Sequence, residues 1–575
     1  MKKRWLLHEK NDAEKKAGLA HALNLSSDLA ELLIQRGVDS FQKAEQFFRP
    51  KLENQHPAQL FKNMDLAVER LRQAIEEQQN VLLYGDYDVD GTCSVALMLR
   101  VLKNYLPSID YYIPDRYAEG YGLSVQGIEY ARKNKSDLII TLDCGIKACD
   151  RIAEAKNSGI DVIVCDHHVA GNEIPDAIIL DPKQKDCNYP YQGLSGCGVA
   201  FKLLHAFFEE QDLPLHELYE HLDLLAISIA GDLVPMTDEN RIYCALGLQL
   251  INTGRKSYVR ELLKGGKTNY PLNSEDLVFR ISPRINAAGR MDHATKAVKL
   301  MTSEDESIVS ELARELEQFN EERRALDQQT FEEAMQQISE DDHFHHRYST
   351  IVYQKDWQKG VIGIVASRLI EQHYRPTIVL CKSNGKLTGS ARGIYGLHLY
   401  ELLEACSSSL EQFGGHEFAA GLSLEEDQLE HFKTLFDQEV QRQLKAEDSE
   451  PIERADLELN FDQIFQPGEN VYHIPKFKRI LRQLEPHGPE NLRPAFIARK
   501  VFAEDVKLLK DQHLKMKLRQ PESGIEMQAI GFFMPEKLDL ALGKEALDVL
   551  YSLSINSWNG QESLQIQIRD LRPSE

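Results

Sequence analysis

No run of eighteen or more apolar residues occurs in this 575-residue chain, which excludes a membrane-spanning helix of ordinary length. The first residues, Met1 to Trp5 and onward, carry charge without an apolar h-region, so the expectation is a soluble protein kept in the cytoplasm. Closely paired cysteines are also missing. The nine cysteines are scattered with no Cys-x-x-Cys, and Cys144, Cys165 and Cys381 sit inside or at the ends of apolar runs, as reduced core residues do. Positive charge is scarce: 67 Lys and Arg stand against 90 Asp and Glu, a net charge of -23. That balance argues against a protein that coats nucleic acid over its whole surface, and leaves room for a local basic track.

What is present is enough apolar content, 42%, for several cores, and three or four domains are expected. The stretch that organises the rest reads Val81-Leu-Leu-Tyr-Gly-Asp-Tyr-Asp-Val-Asp-Gly91, an apolar run ending in Asp86, Asp88 and Asp90. On an extended backbone alternate side chains share a face. Three ionised carboxylates there repel one another unless cations or protons intervene, and hard oxygen ligands suit magnesium or manganese. An EF-hand loop also opens Asp-x-Asp-x-Asp-Gly, but its twelfth position must be Glu, and here that position is Leu97.

Beyond Val81, apolar runs alternate with helical stretches, the pattern of a parallel α/β sheet. Four of these runs end in acidic residues. Val81 to Tyr84 leads to the three aspartates, Leu138 to Leu142 to Asp143, Val162 to Cys165 to Asp166-His167-His168, and Leu224 to Ala230 to Asp232. Sites in open α/β sheets lie outside the carboxyl ends of the strands, so the four clusters are expected in one crevice. Carboxylates and imidazole of this kind suit a two-metal centre that activates water and clamps a phosphoryl group. Neighbouring histidines point in different directions, so one can be a ligand and the other can face substrate.

The flanking segments extend this organisation. Residues 1–75 read as a helical docking segment and 76–300 as the α/β catalytic domain. Gly193 to Gly198 opens a helix either as a phosphate-binding turn or as a packing turn. Arg280, Arg284, Asn286 and Arg290 crowd one short segment, with phosphate contact or domain-interface ion pairs as the two readings. Residues 301–345 read as a long connecting helix, and the cluster His343, His345, His346 as an exposed linker. A smaller α/β unit, 346–430, carries Arg368, Gly389-Ser390-Ala-Arg392 and Gly414-Gly415-His416. The last part, 450–575, has five short strands consistent with an OB-like β-barrel. Between Lys476 and Arg519, twelve basic residues face five acidic ones, a candidate phosphate-backbone track. Phe477, Phe496, Phe502 and Phe532 read as core before stacking platforms.

These motifs, in this order, resemble the RecJ single-strand-specific exonucleases of the DHH phosphoesterase superfamily. The resemblance runs through Gly85 to Gly91, Leu142-Asp-Cys-Gly145, Asp166-His-His168 and Gly231-Asp-Leu-Val-Pro235, and spans nearly the whole chain. It implies a multidomain α/β fold: a parallel-sheet DHH catalytic domain, a smaller DHH-associated domain joined by a long helix, and a C-terminal OB-like barrel. It also implies roles. Asp88, with Asp86 nearby, would hold one metal; Asp90, His167 and Asp232 would hold the other; Asp143 would bridge. Asp166 would orient the histidine pair, and His168 would face the scissile phosphate. The Ser-x-Arg and Gly-Gly-His elements would grip the nucleic-acid backbone. Tyr84 departs from superfamily members that carry a metal-binding His there, which puts the first ion's nitrogen ligand in doubt. The implied activity is 5′-to-3′ exonucleolytic hydrolysis of single-stranded DNA with two manganese or magnesium ions, in repair and recombination, fed by a helicase and a single-strand-binding protein. The alternatives are a DHH-type phosphodiesterase for short oligonucleotides or cyclic dinucleotides, and a non-catalytic single-strand-binding scaffold.

Overall fold

The computed structural model describes residues 3–266, 270–383, 385–465, 469, 473–558 and 561–574. Two compact units are present. The first combines His56–Asp232 with Gly247–Pro451; the second combines Trp5–Gln55, Leu233–Leu246 and the C-terminal part from Ile452.

The first unit begins with a five-stranded, wholly parallel sheet. Its strands are β1 (Val81–Gly85), β2 (Ile109–Tyr112), β3 (Leu138–Leu142), β4 (Asp161–Cys165) and β5 (Ile178–Leu180), in spatial order β2-β1-β3-β4-β5. β1 and β3 are buried throughout, as strands covered on both faces by helices must be, and their sequences are correspondingly continuous apolar runs. The register sets Gly85 beside Leu142, Leu142 beside Cys165 and Cys165 beside Leu180. The four strands therefore end level, and the next residues, Asp86, Asp143, Asp166 and Asp181, stand in a row. Backbone bonds extend the ladder one step past the strands: Asp86 N to Leu142 O at 3.2 Å, Asp143 N to Cys165 O at 2.9 Å and Asp166 N to Leu180 O at 3.1 Å.

Helices α1 (Val89–Leu102), α2 (Val125–Lys133), α3 (Cys149–Asn157), α4 (Gly196–Glu210) and α5 (Leu222–Gly231) complete the layers used here. The run at Leu224 to Ala230, expected as a strand, lies within α5. Its residues are buried all round, and an apolar run of that length does not distinguish a buried strand from a buried helix. Residues Ser282–Met291 form α6, and the connecting helix α7 runs from Glu306 to Glu340. The second sheet of this unit contains β6 (Thr350–Tyr353), β7 (Thr377–Ser383), β8 (Lys386–Arg392), β9 (Gln412–Gly415) and β10 (Ala419–Leu424), ordered β9-β10-β8-β7-β6, with α8 (Lys359–His373) packed on it.

In the second unit, β11 (Phe496–Leu509), β12 (His513–Gln520), β13 (Ile525–Gly531), β14 (Leu547–Trp558) and β15 (Gln561–Pro573) form a barrel closed by the pairing of β11 with β14. Closure removes free sheet edges. β12 alternates strictly: Leu514, Met516 and Leu518 are buried, while His513, Lys515, Lys517 and Arg519 face outward. Phe477 and Phe496 belong to the barrel core, together with Leu29, Leu32 and Leu33 from the N-terminal helices, whereas Phe532 is exposed. The basic track is partly neutralised within the unit. Arg499 pairs with Glu458 and Asp548, Lys517 with Asp505, and Arg519 with Glu504.

Candidate metal centre and substrate cleft

Three carboxylates gather after β1, though not on an extended backbone. The chain turns at Tyr87 and enters α1 at Val89. Asp88 becomes the N-cap, its side chain accepting from the amides of Asp90 and Gly91, and Asp90 lies in the first helical turn. Gly91 is required by this fold-back: a Cβ there would sit 2.4 Å from the carbonyl oxygen of Asp86. An acidic first turn suits the positive end of the helix dipole.

Ligand-capable atoms converge in three overlapping groups, each within 4.8 Å: Asp86, Asp88 and Asp143; Asp90, His167 and Asp232; and Asp143, His167 and His168. His167 Nε2 lies 3.1 Å from Asp143, 3.6 Å from Asp232 and 3.9 Å from Asp90. His167 Nδ1 lies 3.0 Å from the Leu194 carbonyl, to which it donates. That bond leaves the Nε2 lone pair facing the carboxylates, as a metal ligand requires. Asp90 is held by three donors: the amides of Gly196 (2.6 Å) and Cys197 (2.9 Å) and the Ser228 hydroxyl (2.7 Å). The glycine-rich opening of α4 thus presents its amides to Asp90, which corrects the phosphate-binding reading of that turn. Gly196 also makes room, because a Cβ there would meet the Asp143 Cβ at 2.6 Å.

Burial, reinforced by neighbouring carboxylates, pushes Asp86, Asp143 and Asp232 well above the usual carboxylate range and Asp90 up to about 6. Asp232 occupies the C-cap of α5, the negative end of the helix dipole, where only a nearby cation makes a carboxylate favourable. Asp143 holds a left-handed backbone, φ 62°, a conformation that a non-glycine residue keeps at a cost. Asp86 Oδ1, Asp143 Oδ1 and His167 Nε2 are buried without a hydrogen-bond partner. Three orphaned acceptors on two adjoining oxygen-rich groups fit two hard divalent cations.

Asp166 stands outside these groups and organises the histidines. One oxygen accepts from the amides of His167 (2.8 Å) and His168 (3.2 Å) and from the His168 ring (2.7 Å), the other from the Ile146 amide (2.9 Å). Burial opposes its ionisation, but these bonds bring it down to about 2. Burial acts against the His168 cation, yet the Asp166 bond raises its pKa overall. His167, buried and beside His168, falls to about 3 and is neutral.

A cleft lies between the two sheets of the first unit. One pocket, about 350 Å³, is lined by Tyr87, Arg116, Lys359, Ser390, Arg392 and Gly414 among others. Arg392 donates to Ser390 Oγ at 3.0 Å; burial and the facing Arg116 lower its pKa. Among the described residues neither arginine has a carboxylate ion pair, so two cations face one cavity, as an anion site requires. His416 and Gly415 line an adjoining cavity with His168.

Other predicted substrate contacts are engaged elsewhere. Arg280 pairs with Asp276 at 3.1 Å, Arg284 with Glu317, and Arg368 with Asp327 at 3.3 Å while stacking on Phe331. The Arg284 and Arg368 pairs reach the connecting helix α7, whereas Arg280 and Asp276 pair locally, four residues apart. Arg290, half-buried, donates to the Gly360 carbonyl at 2.9 Å at the start of α8. Asn286 lies half-buried on α6 between them.

Family models match in the same order: the DHH family N-terminal domain over residues 80–229, the DHHA1 domain over 347–442 and the RecJ OB domain over 455–570. The single-stranded-DNA-specific exonuclease RecJ of Bacillus subtilis is 36% identical, with the match covering 100% of this chain and 71% of that protein. The chain belongs to the RecJ family. The Escherichia coli RecJ is 32% identical over 95% of this chain and 96% of its own length. The crystal structure of the Thermus thermophilus RecJ in complex with Mn2+ superposes with a TM-score of 0.84 at 26% identity, covering 100% of this chain and 80% of that one.

Within this RecJ-family fold, sequence reasoning missed four residues near the cleft. Asp181 follows the run Ala177 to Leu180, the same signal that marked Asp143, but over a three-residue strand. It is buried, with one oxygen unpartnered, and burial raises its pKa to about 7. Arg116 and Tyr121 follow the strand at Ile109–Tyr112, where the next acid, Asp115, comes only three residues later and caps the turn by accepting from Tyr117 and Ala118. Lys359 sits at the first turn of α8. Tyr84, the suspected replacement of a ligand, is buried away from the metal groups' orphaned atoms. Its hydroxyl donates to the Gly122 carbonyl at 2.9 Å and accepts from the Ser124 amide at 3.0 Å, a structural role in the core.

Proposed function

We propose that this RecJ-family chain is a metal-dependent exonuclease of single-stranded DNA, hydrolysing from the 5′ end and releasing mononucleotides. The observation that carries the reading is the pair of ligand groups Asp86, Asp88, Asp143 and Asp90, His167, Asp232, which meet where His167 Nε2 lies 3.1 Å from Asp143, with orphaned buried acceptors on Asp86, Asp143 and His167. Asp86, Asp88 and Asp143 would hold one ion and Asp90, His167 and Asp232 the other. Two divalent ions, manganese or magnesium, supply an activated water and neutralise phosphoryl charge when bound.

The chain's own residues supply the rest. Asp166 fixes the ring of His168 and keeps it protonated to higher pH, so His168 donates to the scissile phosphate. Tyr121 bonds the Asp143 carbonyl at 3.1 Å and reaches the His168 ring, holding that side of the site together. Arg116, Ser390 and Arg392 bind a backbone phosphate by charge-assisted bonds, orienting the strand before cleavage. On the barrel, outward His513 and Lys515 offer the strand further contacts, while Lys517 and Arg519 are held by Asp505 and Glu504. The name carried by the curated relatives supports single-stranded DNA as substrate. A helicase and a single-strand-binding protein are the partners this reading implies, in the cytoplasm.

The test is degradation of a single strand labelled at either end, with manganese or magnesium, by the wild-type chain and Asp143→Ala. Release of 5′ label as mononucleotides, abolished in the variant, is the expected result. Undiminished cleavage by Asp143→Ala would overturn the metal assignment, and loss of 3′ label first would overturn the polarity. Removing residues 450–575 separates polymer from short-substrate activity: cleavage of long strands falls while that of dinucleotides persists.

A further inference from the structure

A group of buried charges lies away from the metal centre, at the far ends of the two helices that bring Asp90 and Asp232 to it. Helix α1 begins with the Asp88 cap and Asp90 and carries Arg100 in its last turn; α5 carries Asp223 in its first turn and ends at Asp232. The two helices are antiparallel neighbours. At the metal end a Cβ on Gly231 would meet Val89 Cγ1 at 2.5 Å, and the Ser228 hydroxyl donates to Asp90 at 2.7 Å. At the other end Arg100 Nη1 lies 3.6 Å from Asp223 Oδ2.

Asp223 is wholly buried, and several segments meet on it. Besides Arg100 it takes the Tyr258 hydroxyl at 2.7 Å and the Lys256 ammonium at 3.2 Å. Arg100 forks: its other nitrogen donates to the Met301 carbonyl, and its guanidinium carbon lies 5.4 Å from the centre of the Tyr258 ring. An acid in the first turn of α5 and a cation in the last turn of α1 suit both helix dipoles. Stability alone does not call for the pair, because apolar side chains of the same volume commonly do as well; what a buried ion pair adds is a directed contact that fixes register. Register is what a metal centre needs, since distances from ligand to ion are set within about 0.2 Å. The start of α1 is already fixed by the fold-back of Gly91 on Asp86. No strand leads into α5, which follows the short helix Leu215–Tyr219, so its position along α1 depends on the contacts between the two helices.

We propose that the ion pair of Asp223 with Arg100 sets the register of α5 on α1, and so holds Asp232 at its working distance from Asp90. Both are positioning residues, acting on the ion that Asp90, His167 and Asp232 would share and leaving the ion of Asp86, Asp88 and Asp143 alone. The inference rests on the metal assignment of the exonuclease reading and deepens it.

The experiment titrates manganese into the full chain and follows the unbound ion by electron paramagnetic resonance, which counts the bound ions and gives the affinity of each without any cleavage. Arg100→Met cuts the link between the helices and leaves Asp223 with Lys256 and Tyr258. Lys256→Met removes a charge from the same group and leaves the link. Wild type should take up two ions, and Arg100→Met should hold one of them about 10- to 100-fold more weakly, the usual effect of losing a group that orients a metal ligand. The other ion, and both ions in Lys256→Met, should stay within about twofold of wild type. Added to Asp232→Asn, Arg100→Met should change neither affinity by more than about twofold, because the ligand it positions is already gone. The inference is overturned if Arg100→Met keeps both affinities or weakens both alike, if Lys256→Met does as much, or if the double variant loses further. Should Arg100→Met show no melting transition, Asp223→Asn, which keeps the shape of the side chain, cuts the same link. Wild type taking up fewer than two ions would sink the metal assignment instead, which keeps the two failures apart.

Discussion

Replacing Asp143 by Asn should reverse the order of stability between wild type and variant according to whether a divalent cation is supplied. Ligand oxygens of Asp86, Asp88 and Asp143 lie within 4.8 Å of one another, so each ionised pair repels by about 3.5 kcal/mol at an effective dielectric of about 20. Raised pKa values mean that protons already relieve part of this, leaving a gain of about 2 kcal/mol from removing one charge. Asn tolerates the left-handed backbone of position 143 and keeps the bonds of its amide and carbonyl, so the fold is not otherwise disturbed. In EDTA the variant should therefore melt higher, by about 2–4 °C for a unit of this size. With manganese at about 100 times its dissociation constant, wild type gains about 2.7 kcal/mol per occupied site, and the variant, short of its shared ligand, gains little. Thermal scans of both proteins in EDTA and in manganese read the crossing directly, without reference to cleavage. A variant less stable than wild type in EDTA would refute the electrostatic argument. An equal manganese shift in both proteins would refute the ligand assignment.

Other perturbations separate the parts of the site. Asp166→Asn removes the bond that raises the His168 pKa, so the limb on which kcat/KM falls with rising pH should move to lower pH; an unmoved limb means His168 is not the group observed. Arg392→Ala should lower kcat/KM on single strands about 10- to 100-fold, the worth of a charge-assisted bond, with the melting transition unchanged. Lys515→Glu, on the outward face of β12, should weaken strand binding and flatten the slope of its salt dependence by about 0.7 for each phosphate no longer neutralised, while dinucleotide cleavage stays as it was. Tyr84→Phe strips a buried hydroxyl from the Gly122 and Ser124 bonds and should cost about 1–3 kcal/mol of stability with manganese affinity intact; weakened affinity would make Tyr84 part of the metal centre after all.

The parallel sheet was legible because β1, β3 and β4 are continuous apolar runs with polar punctuation, and burial on both faces demands such runs. The barrel was legible for the opposite reason: β12 alternates, and alternation marks a half-buried strand. Long helix α7 announced itself by its helical spacing and near absence of breakers. Which cations were free was not legible. Arg280, Arg284 and Arg368 have the same local sequence character as Arg392, and only their partners Asp276, Glu317 and Asp327 distinguish them. For Arg284 and Arg368 the partners lie 33 and 41 residues away, so that pairing is a property of the packing, whereas the Arg280 pair with Asp276, four residues back, is local.

The spacing of Asp86, Asp88 and Asp90 shows how a correct gathering of groups can rest on a different backbone. Alternation on a strand would line up three equivalent carboxylates, yet the chain leaves the strand at Gly85 and makes them unlike. Asp86 is buried with an orphaned oxygen, Asp88 caps a helix with one of its oxygens, and Asp90 is bound by three donors. Each change follows from entering α1 at Val89: a cap must accept amides, and a first-turn acid meets the next element packed on it, here the start of α4. The row of level strand ends includes Asp181 in place of Asp232 because the run before Asp232 is a helix. Asp232 reaches the site from the end of a buried helix, by a route that an apolar run alone does not reveal, and it brings a carboxylate to the negative pole of that helix. A fold that sets one acid against a helix dipole, another in a left-handed backbone and a third beside unpartnered acceptors concentrates unfavourable terms at one point, and a bound cation would offset the electrostatic ones together.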